Sequence, residues 1–149
     1  MPRWLRKFLR LNLPEDALHA ACLHADLNAV EALLESSSFV LDDSSVLNES
    51  VFTSAVRGGS EAVLKAALGA CSHPRQRALD EALVVGVYER REDLARLLLR
   101  SGADPQAVCG LHPSILFRQS SAALRVCLEA GGKLPTEIQS MLNDGDLAP

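Results

Sequence analysis

The sequence predicts an all-α fold, and three observations carry that prediction. Apolar residues fill 48% of the 149 positions while aromatics fill only 4%, so Leu, Ala and Val must build the core. Ala and Leu cost little in a helix, and small side chains let helix axes approach closely. No long alternation of apolar and polar residues marks a half-buried strand. One helical stripe instead recurs at a nearly constant spacing, the mark of a chain built from copies of one supersecondary unit. The length is that of one domain with a substantial core, so residues 1–149 are read as a single repeat domain.

Residues 1–12 come first. Pro2-Arg3-Trp4-Leu5-Arg6-Lys7-Phe8-Leu9-Arg10 reads as a short amphipathic helix, with Trp4, Leu5, Phe8 and Leu9 able to share one face. The first reading is a capping helix that covers the first repeat. Its basic, aromatic-bearing character also suits a membrane surface, a presequence or a docking helix, although about ten residues is short for the first two.

The repeats follow over residues 13–134. The first unit carries Leu18-His19-Ala20-Ala21-Cys22 and then the stripe Ala25-Asp26-Leu27-Asn28-Ala29-Val30-Glu31-Ala32-Leu33-Leu34. The second repeats it, with Val51–Ala55 leading into Gly58-Gly59-Ser60-Glu61-Ala62-Val63. The third is the clearest. Its Asp80–Arg90 run is helical in pattern and breaks near Arg90-Arg91. Glu92–Pro105 then places Leu94, Leu97 and Leu98 on one stripe, acids at the start, Arg100 near the end and Gly102 at the turn. Ala123–Gly132 is a fourth copy. Ala29, Ala62, Leu94 and Ala123 are thus equivalent, a period of about 33 residues that shortens at the last step. Leu134–Leu142 reads as a C-terminal capping helix with Thr136 as its N-cap, stopped by Asn143-Asp144-Gly145-Asp146, and Leu147-Ala148-Pro149 as a loose tail.

These segments resemble the ankyrin repeat family, whose first helix opens on T-P-L-H-x-A, breaks at Gly-His and leads to a second helix ending in L-L-x-x-G-A-D. Ala17-Leu18-His19-Ala20-Ala21 is similar to the entry, Gly58-Gly59 to the break, and Leu98-Leu99-Arg100-Ser101-Gly102-Ala103-Asp104 matches the exit in full. Arg90-Arg91 stands where the family has Gly-His, and Ser37-Ser38 where it has Gly-Ala. The resemblance covers roughly Leu13 to Leu134. It implies a solenoid of stacked antiparallel helix pairs with capping helices at both ends, and gives His19 a structural role in tying the turn between units.

Charge narrows the partners. Arg3, Arg6, Lys7 and Arg10 precede the first acid; without them 11 basic face 19 acidic residues, so the body is acidic beneath a net −4. That argues against nucleic acid, whose phosphates need a basic face, and favours a basic protein. The four cysteines form no C-x-x-C pair, no secretory signal is evident, and no uncharged apolar run approaches a membrane span. They are expected to be reduced core fillers of a cytoplasmic protein, monomeric by itself.

Catalytic and metal motifs are absent from the pattern. His19 and His24 are five apart, unlike the i, i+4 pair of a zinc helix, and His73 and His112 precede prolines. Asp42-Asp43 lacks the spacing of a calcium loop. The glycine pairs sit in no phosphate-cradling frame. The expectation is no enzyme, no metal and no cofactor; a cryptic His/Cys/Asp site and a membrane-surface adaptor are the alternatives. What remains is a protein-binding surface. The family resemblance places it on a concave face built from first-helix residues and inter-repeat fingers. Carried over position by position, it nominates Leu23 and His24, Val56 and Arg57, Tyr88 and Glu89, and Phe117 and Arg118, aided by the acidic finger Asp42 and Asp43. An inhibitor, a toxin-neutralising immunity protein or an effector would fit such a module.

Overall fold

The computed structural model describes residues 14–36, 50–71, 73–111, 113–116, 121–134 and 136. Among these every regular element is helical: α1 (Pro14–Leu23), α2 (Leu27–Ser36), α3 (Val51–Gly58), α4 (Glu61–Ala70), α5 (Gln76–Tyr88), α6 (Glu92–Arg100), α7 (Gln106–Cys109), α8 (Pro113–Leu116) and α9 (Ser121–Glu129). The expected N-terminal helix, the finger bearing Asp42 and Asp43, the Phe117-Arg118 pair and nearly all of the C-terminal cap lie outside the described residues. The chain divides into two compact units, 1–78 and 79–149.

In the first unit, α1 packs on α2 and α3, while α4 packs on α2 and α3. Two helical hairpins therefore meet like element on like element. Their shared core is Leu18, Ala21 and Cys22 from α1, Val30 and Leu33 from α2, Phe52, Ala55 and Val56 from α3, and Val63, Leu64 and Ala67 from α4. Among the described residues Phe52 is the largest fully buried side chain, set in a core otherwise made of smaller residues. Gly58 ends α3 directly against the end of α1, because a Cβ there would fall onto the Cys22 carbonyl oxygen.

Each hairpin starts its second helix with a side-chain cap where the sequence offers one. The Ala29 N–H donates to Asp26 Oδ1 at 3.1 Å and the Val63 N–H to Ser60 Oγ at 3.3 Å. Ser50 does the same at the head of α3, accepting from the Thr53 N–H at 3.3 Å. A 2.7 Å hydrogen bond between His19 Nδ1 and Ser54 Oγ joins α1 to α3 inside the core, where His19 is 3% exposed. His19 is thus a buried residue, with Ser54 among its partners.

The second unit is tied differently. α6 and α7 both pack on α9, over Leu94, Ala95 and Leu98, Val108 and Cys109, and Leu124, Val126 and Cys127. On its surface, Asp80 Oδ1 accepts from the Asp104 N–H at 2.8 Å, and the Gln106 amide both donates to the Lys133 carbonyl and accepts from its N–H at 3.0 Å. α6 and α9 end in the same way. Gly102 (φ 109°) and Gly131 (φ 105°) turn left-handed, and the next N–H reaches back along the helix, Ala103 to Leu98 O and Gly132 to Cys127 O. The Gly102 exit was legible in the sequence.

Candidate protein-binding site

The turns between first and second helices fix which residues reach solvent. Ala25 (φ 55°), Gly59 (φ 78°) and Arg90 (φ 60°) are the left-handed residues that close α1, α3 and α5. Ala25 and Arg90 are followed by the same backward reach, Asp26 N–H to Ala21 O and Arg91 N–H to Gly86 O. The anchors therefore fall at positions 25, 59 and 90, whereas the sequence pattern puts the middle turn one place earlier, at Gly58. Counting back three places from each anchor gives Cys22, Val56 and Val87, all buried. Counting back two gives Leu23, Arg57 and Tyr88, all exposed.

That count corrects one nominated position. Val56 is 1% exposed and belongs to the core of the first unit, so it contributes packing and not contact with a partner. The nominated pair, Val56 and Arg57, stands one place early when counted from Gly59, the residue that turns left-handed. The corresponding pair is Arg57 and Gly58. The other described nominees reach solvent: Leu23 is 39% exposed, Tyr88 67%, and His24, Arg57 and Glu89 are exposed. In the first unit the close approach of Gly58 to the Cys22 and Leu23 carbonyls brings Leu23, His24 and Arg57 to one end of the α1–α3 pair. In the second, Tyr88 and Glu89 project from the end of α5 beside the turn at Arg90-Arg91.

Ion pairs order the α5–α6 turn. Arg91 grips Asp93 with both arms of its guanidinium, Nε to Oδ1 at 3.1 Å and NH2 to Oδ2 at 2.9 Å, and this bond holds the Asp93 carboxyl below its ordinary pKa. Arg96 bonds Glu92 at 2.8 Å across one helical turn and reaches Glu129 on α9 at 3.6 Å. All of these side chains are well exposed, so the pairs add little stability and chiefly orient the surface.

Two arrangements bear on reaction chemistry. His19 and Ser54 have the spacing of a base and a nucleophile, but both are sealed in the core, where no substrate atom can approach Ser54 Oγ. Their bond is structural. Cys22, Cys109 and Cys127 are free thiols in the interior. Burial pushes Cys22 up to about 12, and burial followed by the nearby Cys109 pushes Cys127 up to about 12. A thiol so disfavoured as thiolate is a poor nucleophile. The described residues hold no group of three or more His, Cys, Asp or Glu side chains placed to bind a metal, and none of their helices is long and apolar enough to cross a membrane.

Arg90 is the surface residue that sequence reasoning passed over, because it reads as the middle of a polar turn. Its signal is positional: it occupies the place held by Ala25 and Gly59 at the other two turns. No protein-family model, curated protein or solved structure compared with the chain matches it.

Proposed function

We propose that the chain is a degenerate ankyrin-type repeat protein that binds another protein through the exposed ends of its first helices. The observation that carries this reading is the common register of α1, α3 and α5. Ala17, Val51 and Ala82, then Leu18, Phe52 and Leu83, then Ala21, Ala55 and Gly86 occupy equivalent buried places. Two places before each turn, the same register exposes Leu23, Arg57 and Tyr88, three chemically different side chains. Constancy inside and variety outside is the pattern of a scaffold whose surface is adapted to a partner. Tyr and Arg are over-represented among the anchors that dominate interface energies.

The test is affinity capture from the native source with the wild-type chain and an Arg57→Ala/Tyr88→Ala variant as baits, each first shown folded by circular dichroism. Both substitutions are at exposed positions, so the variant is expected to melt within a few degrees of wild type. A protein retained by wild type and lost by the variant supports the reading. Retention of the same proteins by both removes these helix ends from the account. An inhibitor, immunity protein or effector is the narrower role such a module fits, and the captured protein's activity, measured with and without the chain, separates them.

A further inference from the structure

Three arginines surround the turn between α5 and α6, and two are engaged: Arg91 by Asp93, and Arg96 by Glu92 and Glu129. Arg90 makes no side-chain hydrogen bond or ion pair among the described residues and is exposed. It nevertheless holds the left-handed conformation that a side chain rarely adopts. At the equivalent turns the chain uses Ala25 and Gly59, which meet the same backbone need without a long side chain. The turn makes no use of a guanidinium. A strained residue that returns nothing to its own fold is a candidate for contact with something else.

Its surroundings say what that contact is. Tyr88, 67% exposed and the most exposed large side chain with apolar character among the described residues, stands two residues away at the end of α5. The carboxylates of Glu92 and Asp93, which follow the turn, are already bound by arginines. The planar fork of Arg90 is therefore left for a carboxylate from outside, with an exposed aromatic ring two residues away in the chain. We infer that Tyr88 and Arg90 together form an anchor for an acidic peptide segment of the partner, an Asp or Glu carboxylate seated on Arg90 and a neighbouring apolar side chain on Tyr88. This rests on the protein-binding reading above and replaces the basic partner expected from net charge. The acidic body acts through screened solvent over a Debye length of about 8 Å, whereas a bidentate contact acts at bonding distance.

Glu89 is the opposing charge at this tip: exposed, without an ion pair among the described residues, and adjacent to Arg90. If an incoming carboxylate binds here, Glu89 repels it. Replacing Glu89 by Gln should then tighten binding.

The experiment uses the full chain and an array of labelled peptides of about 15 residues, each with two Glu flanking one aliphatic or aromatic residue, printed beside its Glu→Gln counterpart. Binding of the hits is then measured by fluorescence anisotropy. Wild type should bind a subset of the Glu peptides about tenfold or more tightly than their Gln forms. Arg90→Gly and Arg90→Gln should erase that preference, while Arg90→Gly melts at or above the wild-type temperature because glycine suits the turn. Tyr88→Ala should weaken both peptide forms, and Glu89→Gln should strengthen the Glu form alone. No preference for Glu over Gln in wild type, or a preference that survives Arg90→Gly, overturns the carboxylate anchor. If Glu and Gln peptides bind alike and Tyr88→Ala abolishes both, the helix-end surface stands and only its charge specificity fails. If Tyr88→Ala changes neither, the surface itself is refuted at this position.

Discussion

The two units solve the same joining problem by different means. In the first, a hydrogen bond between His19 and Ser54 crosses from α1 to α3 inside the core. In the second, the ties lie in water: Asp80 to the Asp104 backbone, and the Gln106 amide to both backbone groups of Lys133. A buried tie is expensive to break, because the surviving partner stays desolvated, whereas water replaces an exposed one. The first unit is thus specified by a polar pair that must match, and the second by backbone contacts that tolerate change.

The sharpest way to break the first unit is at its tightest approach. Gly58→Ala puts a methyl onto the Cys22 carbonyl oxygen, a backbone atom that cannot swing aside. The expected loss is about 3 kcal/mol by urea unfolding. Gly132→Ala meets the Cys109 sulfur at 2.6 Å and the Cys127 carbonyl oxygen at 2.9 Å. The sulfur can rotate away and the Cys127 oxygen is met less closely than the Cys22 oxygen is by Gly58, so a smaller loss of about 2 kcal/mol is expected in the second unit. Equal losses would mean that the carbonyl end of α1 yields as easily as the looser contacts around Gly132.

The ties themselves come next. Ser54→Ala removes one partner of the His19 ring inside the core and should cost about 2 kcal/mol. Asp80→Ala frees an Asp104 N–H that water can reach and should cost about 0.5 kcal/mol. A ratio near one in denaturant melts would erase the contrast between the units.

The units also differ from an ordinary chain in pH dependence, to which a deeply buried thiol contributes in each. Cys22 and Cys127 hold their protons up to about 12 when folded, whereas an unfolded thiol releases its proton near the ordinary value of 9.0. A raised folded pKa gives stability that is complete below about 9 and lost between about 9 and 12. At pH 10 each thiol should account for about 1 kcal/mol of lost stability relative to pH 7. Comparing Cys22→Ala and Cys127→Ala at pH 7 and pH 10 checks this. Each variant should lose less than wild type on going to pH 10, and an unchanged pH 7-to-10 difference would show that the thiols are not the titrating groups.

Much of this architecture is written locally. The Leu94, Leu97 and Leu98 stripe, the acids that open α6 and the glycine that follows it all act within a few residues, so the helix and its Gly102 exit follow from sequence alone. Asp26 and Ser60 also act locally, capping the helices they precede, although the sequence reading did not single them out. Composition likewise decided that the elements would be helices and that Cys22, Cys109 and Cys127 would lie inside. Three matters needed the tertiary structure. The partner of His19 is distant in sequence and is set by how α1 meets α3. Gly59 and not Gly58 takes the left-handed turn, because Gly58 is committed to the approach to Cys22; that single place moves Val56 from the surface into the core. Arg90 looks in sequence like any polar turn residue, and only its backbone angle, its exposure and the pairing of Arg91 and Arg96 distinguish it. Periodicity and caps are decided between neighbours along the chain, but register at a turn and the accounting of charges are decided between helices that meet only once the chain has folded.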